Sequence, residues 1–146
     1  MQPTDIRDPA ILIRTLADFR YAMRRFYQFS EKAALSAGLQ PRQYQLLLQV
    51  AAAPEHTTVT ISYVADRLGL KHNSTVELVD RSEKEGLVAR SEDSSDRRRT
   101  ILRVTRKGSQ LLSKLAGQHA EELNDAAPRL IDALEHIRRH ARREAQ

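Results

Sequence analysis

The chain has 146 residues, which corresponds to one domain or to one compact domain with helical extensions. It contains no cysteine, so disulfides, thiolate zinc sites and thiol redox sensors are excluded. Its 24 basic and 19 acidic residues give a net charge of +5, which by itself is only weak support for a polyanionic partner.

Two helices are predicted first. The first runs from Pro9 to about Ala37, where Gly38 ends it. Its apolar residues recur at intervals of three and four and form one seam. The seam consists of Leu12, Leu16, Phe19, Met23, Phe26 and Ala33. A second helix follows over Arg42–Ala53 and ends at Pro54.

The next two predicted helices are short and close together. Thr60 can cap a third helix, and Gly69 closes it. A fourth helix then runs from about His72 to Glu85, until Gly86 stops it. Two short helices joined by three or four residues that include a glycine are typical of a helix-turn-helix.

The residues after Gly86 change from helical to strand periodicity. One short strand is predicted over residues 87–90 and another over 100–104, with no apolar residue in the connection Ser91–Arg99. This pattern indicates a β-hairpin wing. Between Arg90 and Lys107 there are seven basic and three acidic residues, so this stretch carries +4, nearly the whole excess charge of the chain. Such clustering is typical of a phosphate-binding surface.

The chain ends in a long helical region with apolar residues along one face. Thr105 caps this helix, and Pro128 either breaks it or opens another helix. The outer helices carry more apolar seam than one small monomer can bury, so we expect them to form a dimerisation region. The alternative is that they pack only on their own winged domain.

The predicted fold is therefore mainly α, a winged helix-turn-helix with a two-stranded β-hairpin wing and long N- and C-terminal dimerisation helices. Its parts are an N-terminal dimerisation helix over 1–38, a DNA-binding domain over 39–107 and C-terminal dimerisation helices over 108–146. We expect these parts to form one compact unit.

Several classes of function lack their signature in this sequence. There is no glycine-rich phosphate loop, nucleophile-elbow serine or His-Glu-x-x-His motif, so we expect neither an enzyme nor a cofactor. His136 and His140 are spaced four apart, but the arginines around them would oppose a metal ion. No apolar run reaches the roughly 18 residues of a membrane span, and Met1–Asp8 lacks a signal-peptide pattern. We therefore expect a cytoplasmic protein.

The fourth helix has a polar beginning and an acidic end. Its net charge is −2, but the acidic residues cluster in its later turns. A recognition helix enters the major groove by its N-terminal end, where short polar side chains suit phosphates and base edges. The candidate DNA contacts at this end are Lys71, His72, Asn73, Ser74 and Thr75. Leu78 and Val79 are expected to face the third helix.

The segment Ile61–Gly108 resembles the MarR (multiple-antibiotic-resistance regulator) family of winged helix-turn-helix transcription factors. The residues that carry the resemblance are VADRLGL (64–70), LVDR (78–81), EGLVAR (85–90), Asp93, DRR (96–98) and VTRKG (104–108). The ordered set with these spacings is specific, although each piece alone is weak.

The resemblance implies a homodimeric, ligand-responsive regulator, most often a repressor, that binds inverted-repeat double-stranded DNA. The recognition helix, including Val76, would read the major groove, and the wing would enter the minor groove. Asp96 would stabilise the wing, and one of Arg97, Arg98 and Arg99 would reach the DNA. Without cysteine, the thiol-oxidation mechanism of one family branch is excluded.

Three positions depart from the family pattern. Val76 and Glu77 stand where many members carry polar or basic residues, so Glu77 would be repelled by phosphates unless it is paired or turned toward cytosine. Ser82 stands where the family usually has a buried apolar residue, which indicates looser packing.

The resemblance also implies a pocket for a small aromatic or phenolic effector. Phe26, Tyr27, Tyr44 and His119 are the candidate lining residues, although aromatic residues on helices are more often part of a core. Two other functions remain as alternatives: an architectural DNA-binding protein without ligand response, and a winged-helix module that binds protein.

Overall fold

The computed structural model describes residues 8–145 and contains five helices and one hairpin within that range. The elements are α1 (Pro9–Ser36), α2 (Pro41–Ala51), α3 (Ile61–Leu68), α4 (His72–Lys84), β1 (Val88–Glu92), β2 (Thr100–Val104) and α5 (Arg106–Glu144). The predicted mainly α fold with a two-stranded wing is confirmed. The segment Met1–Asp8, which lacks a signal-peptide pattern, lies outside the described residues except for Asp8.

The chain forms two compact units, which are described separately. The winged unit comprises residues 31–117, and the outer-helix unit comprises the chain up to Ser30 together with the chain from Gln118 onwards. Both α1 and α5 contribute to each unit. The predicted three-part division of the chain stays a prediction.

The helix-turn-helix is defined by its caps. The Thr60 hydroxyl accepts a hydrogen bond from the Tyr63 backbone N–H at 3.2 Å, as the sequence predicts for the start of α3. At the other end Gly69 has a φ of 65°, a left-handed conformation that favours glycine. The Leu70 N–H then donates to the Ala65 carbonyl at 2.9 Å. The chain reverses within three residues, and α4 begins at His72.

The hydrophobic core lies entirely within the winged unit. Fourteen apolar side chains of the described residues are buried: Ala34, Leu39, Tyr44, Leu46, Leu47, Val50, Val59, Val64, Leu78, Val79, Leu87, Val88, Leu102 and Leu115. They come from all five helices and both strands or the segments beside them. Each large aliphatic side chain buried here contributes roughly 1.5–3 kcal/mol, so this core fixes α4 and the hairpin on one support.

The wing is an antiparallel hairpin whose register pairs Val88 with Val104 and Glu92 with Thr100. The first strand was predicted over 87–90 but spans Val88–Glu92. Its pairing with β2 continues through Ser91 and Glu92, two polar residues that show no strand pattern in the sequence. The Val59 carbonyl accepts a hydrogen bond from the Leu102 N–H at 2.8 Å, which anchors β2 to the loop before α3.

The base of the wing is joined tightly to the start of α5. The Thr105 hydroxyl accepts from the Gly108 N–H at 3.1 Å, which confirms the predicted cap. A Cβ atom on Gly108 would lie 2.3 Å from the Leu87 carbonyl oxygen, so no other residue fits there without a backbone shift. This close approach explains the glycine at position 108.

The prediction that Pro128 breaks or opens a helix is wrong. The 39 residues of α5 continue through it as one helix. Proline removes the hydrogen bond from its own nitrogen to the Asn124 carbonyl, and its ring crowds that carbonyl. Both Pro128 and Asn124 are exposed, so water can satisfy that carbonyl.

The buried hydroxyl of Ser82 lowers the stability of the fold. Ser82 is completely buried, and its hydroxyl oxygen has no hydrogen-bond partner among the described residues. Leaving a buried hydroxyl unpaired costs roughly 1–3 kcal/mol. We expect Ser82→Ala to raise the free energy of unfolding by about 1 kcal/mol, measured by urea denaturation. The control Ser113→Ala, at an exposed position of α5, should gain only the helix-propensity difference of roughly 0.5 kcal/mol. A loss of stability in Ser82→Ala would contradict the unpaired hydroxyl.

Candidate nucleic-acid interface

The beginning of α4 presents most of the predicted contacts to solvent. Lys71, His72, Asn73 and Ser74 are exposed, and Val76 is half-buried. Thr75 is the exception among the predicted contacts. It is completely buried, and its hydroxyl donates a hydrogen bond to the Lys71 carbonyl at 2.9 Å. Its position on the helix, one turn before Val79, turns it toward the core. We therefore remove Thr75 from the candidate contacts.

The face of α4 opposite its buried side is continuous and polar. The buried positions are Thr75, Leu78, Val79 and Ser82. The opposite stripe, at helical spacing, consists of Asn73, Glu77, Asp80 and Lys84, all exposed. A ligand that docks on this helix from outside would meet these side chains and the polar residues at its N-terminus.

The acidic residues of α4 are partly neutralised by the wing. The Arg90 guanidinium forms an ion pair with Asp80, and its Nε lies 3.7 Å from a Glu83 carboxylate oxygen. Glu85 accepts a hydrogen bond from the Gln43 side chain at 2.9 Å. Arg90, which the sequence groups with the phosphate-binding charges, instead joins β1 to α4. This explains how an acidic helix can lie beside a basic hairpin.

The loop of the wing is organised around a buried carboxylate. Asp93 is only 6% exposed, and its Oδ1 accepts from the Ser95 hydroxyl at 2.7 Å and the Ser95 N–H at 2.9 Å. Its Oδ2 lies 3.0 Å from the Arg99 guanidinium. The Ser95 hydroxyl, with the Ser95 N–H and Arg99, lowers the pKa of Asp93 below its ordinary 3.8. The sequence pattern predicts no separate role for Asp93, although an Asp side chain commonly accepts a hydrogen bond from the backbone two residues further on.

Asp96 and Arg99 complete this loop. The Asp96 carboxylate accepts from the Arg98 N–H at 3.0 Å and lies 3.8 Å from the Arg99 Nε. The Arg99 N–H donates to the Asp96 carbonyl, and the Arg99 carbonyl accepts from the Asp93 N–H. Arg99 is thus held by the hairpin itself. Within the described residues, the side chains of Arg97 and Arg98 form no ion pair, and both are exposed.

Three of the four predicted effector residues are neighbours, since the centroid of the Phe26 ring lies 5.9 Å from that of Tyr27 and 5.8 Å from that of His119. A cleft of about 790 Å³ lies between α1 and α5 in the outer-helix unit, and Phe26 is the only one of the four that lines it. Tyr44 belongs instead to the core of the winged unit, where burial raises its pKa. Tyr27 is 55% exposed.

His119 is buried within the outer-helix unit. Its Nε2 lies 2.8 Å from the Ser30 hydroxyl, and its ring packs edge-on against Phe26 and Phe29.

His136 lines the cleft, and His140 lies 3.6 Å from a Glu144 carboxylate oxygen. In the described part of the chain, no three His, Asp or Glu residues are grouped to hold a metal ion. None of the described helices is long and apolar enough to cross a membrane.

The Asp93 network makes the wing sensitive to acid. Because the pKa of Asp93 is lowered on folding, its stabilising effect is complete above pH 3.8 and is lost as the pH falls through the lowered value. We expect Ser95→Ala to raise the pKa of Asp93 toward 3.8, as followed by NMR titration of its carboxyl carbon. Ser94→Ala, at the exposed neighbour, is the control and should leave the titration unchanged. Equal midpoints in the wild type and Ser95→Ala would refute this assignment.

Comparison with known sequences points to one family. Residues 37–99 match the model of the MarR family. A Thauera aromatica protein named as a transcriptional regulatory protein for the hcr operon is 30% identical over 108 residues, which cover 74% of this chain and 63% of that protein. An uncharacterized HTH-type transcriptional regulator of Bacillus subtilis, YfiV, is 33% identical over 60 residues, or 41% of this chain and 38% of that protein. The chain thus matches less than two thirds of the length of either curated relative.

Solved structures share the fold. The Staphylococcus aureus MepR–DNA complex has a TM-score of 0.70 at 18% identity, covering 87% of this chain and 93% of that one. CouR, a transcriptional repressor bound to a 23-mer DNA duplex, has a TM-score of 0.65 at 26% identity, covering 87% and 89%. AbsC from Streptomyces coelicolor, a MarR-family regulator, has a TM-score of 0.65 at 23% identity, covering 97% and 98%. The match over residues 37–99, together with the helix-turn-helix and wing described above, makes this chain similar to the MarR family, whose members are transcriptional regulators.

Proposed function

We propose that this protein is a homodimeric transcriptional regulator that binds duplex DNA at specific sequences and represses transcription. The observation that carries the proposal is the pair of exposed, unpaired arginines, Arg97 and Arg98, at the tip of a hairpin that shares one core with α4. MepR and CouR, which share the fold, are described in complex with DNA.

The two contact elements suit different grooves. The exposed start of α4 offers a lysine, a histidine, an amide and a hydroxyl beside a helix N-terminus, which suits phosphates and base edges in the major groove. The wing tip is narrow and carries its arginines outward. Arginine is favoured in the minor groove of A·T-rich DNA, where the narrow walls strengthen the negative potential. Arg99, engaged with Asp93, supports the wing rather than reaching outward.

The outer helices supply the reason for a dimer. Among residues 8–30 and 118–145, no apolar side chain is fully buried. Large apolar side chains there stay exposed: Ile13, Leu16, Tyr21, Tyr27, Leu123, Ile131 and Leu134. A contiguous exposed apolar surface on a protein marks an interaction site. A second copy of the same helices would cover these residues by a self-complementary, two-fold interface.

Repression released by an effector follows from the family resemblance. A small aromatic or phenolic molecule that binds the protein better when it is off the DNA would shift the population away from the bound form. The cleft in the outer-helix unit, at about 790 Å³, falls within the usual range of small-molecule sites. Phe26 is its predicted aromatic contact.

The test is selection of bound sequences from a random duplex library at physiological salt, using the purified protein. A dimeric, sequence-specific regulator should enrich an inverted repeat with half-sites about 34 Å apart, which is one helical turn. Steeply salt-dependent binding without a motif would instead favour an architectural protein. Absence of binding would favour a protein-binding module.

The wing arginines give the second measurement. Arg97→Ala and Arg98→Ala should each weaken binding to all duplexes and reduce the slope of log K against log salt by up to about 0.9. The control is Arg42→Ala, an exposed arginine on α2, outside the helix-turn-helix and the wing. Unchanged affinity and slope in both wing variants would exclude the wing from the interface.

The dimer is tested on α5. Wild-type protein should sediment at twice the chain mass of 16.6 kDa. Ile131→Lys and Leu134→Lys place a charge on exposed apolar positions and should shift the equilibrium toward the monomer. Glu135→Lys, at an exposed polar position beside them, should leave the dimer intact. If all three variants sediment as dimers in analytical ultracentrifugation, this surface is not the interface.

A further inference from the structure

We infer that Glu77 is a specificity-determining residue that selects cytosine in each half-site of the DNA. The inference rests on the proposed function and adds to it the identity of a base and the side chain that reads it. Glu77 carries a free carboxylate on the helix that we place against a polyanion, where phosphates would repel an unpaired negative charge.

Glu77 differs from the other acidic residues of α4. Asp80 and Glu83 pair with Arg90, and Glu85, directly after the helix, accepts a hydrogen bond from the Gln43 side chain. Glu77 is exposed and has neither an ion pair nor a hydrogen bond from its side chain among the described residues. Since its charge is not used within the winged unit, this exposed carboxylate is available to a ligand.

The position of Glu77 is that of a base-reading side chain. It lies four residues after Asn73 on the exposed stripe of α4, so the two side chains project from the same face one turn apart. Four residues rise about 6 Å along the helix axis. Asn73 and Glu77 can therefore face neighbouring or next-neighbouring base pairs along the same groove.

The chemistry of a carboxylate restricts which base it can meet. An ionised carboxylate only accepts hydrogen bonds, and the donors in the major groove are the amino groups of cytosine and adenine. Beside the adenine amino group lies the N7 acceptor, which would repel the second carboxylate oxygen. Guanine presents two acceptors, N7 and O6, and should be rejected most strongly. Cytosine is the base whose exposed edge fits Glu77.

The experiment extends the library selection to variants of Glu77. The wild type should show cytosine at one fixed position in each half-site, with guanine there binding most weakly. Affinities are then measured on four duplexes that differ only at this position. We expect cytosine to be preferred over guanine by at least about ten-fold. Glu77→Ala should reduce this preference to near one, and Glu77→Gln should move it toward adenine, since glutamine pairs with the amino group and N7 of adenine.

The matched control separates base reading from bulk charge. Asp66→Asn removes one exposed negative charge from α3 and should leave the preferred base unchanged. If Glu77→Ala and Glu77→Gln bind every duplex more tightly but keep the wild-type motif, Glu77 is only a repulsive surface charge and the inference is wrong. A wild type that enriches no motif overturns both the proposed function and this inference. A motif without a fixed cytosine overturns the inference alone.

Discussion

The confinement of the hydrophobic core to the winged unit determines what the rest of the chain can do. All fourteen buried apolar side chains lie between Ala34 and Leu115. They hold α4 and the hairpin on one support, so the two candidate contact elements have a fixed relative geometry. Large apolar side chains of the outer helices stay exposed, and this exposure is the observation behind the proposed dimer.

In the winged unit, acidic and basic side chains form pairs with each other and do not occupy separate regions. Arg90 lies on β1 but neutralises Asp80 and Glu83 on α4. Asp93 and Asp96 lie in the basic loop and hold Arg99. The charged side chains without a partner in the described chain include Arg97 and Arg98 at the wing tip and Glu77 on α4, and these are available to a ligand.

Much of the fold could be predicted because local signals and tertiary packing agree. Thr60, Gly69 and Thr105 act as caps where the sequence places them, and the change of periodicity after Gly86 identifies the wing. Pro128 misled the prediction, because a proline inside a helix is a strong local signal that costs one backbone hydrogen bond and was outweighed by the continuing helix. Its exposure could not be known from sequence.

The candidate site was harder to predict than the fold. Thr75 has a residue type suited to DNA contact, but its direction depends on which face of α4 the core covers. Arg90 finds its partners on another element, and sequence proximity does not report such pairs, whereas the partners of Asp93 and Arg99 lie within the same loop. Tyr44 belongs to the core of the winged unit, whereas Phe26, Tyr27 and His119 belong to the outer-helix unit, and the effector pocket stays a prediction.

Ion pairs and hydrogen bonds inside the protein reduce the number of basic side chains in the wing that can contact DNA phosphates. Of the seven basic residues between Arg90 and Lys107, Arg90 and Arg99 are engaged by carboxylates, and the Lys107 ammonium donates to the Glu85 carbonyl at 2.8 Å. Arg97, Arg98, Arg103 and Arg106 remain exposed. Counterions are released from DNA only by cations that contact phosphates. The wing should therefore displace ions as a group of at most four charges, although its composition contains seven.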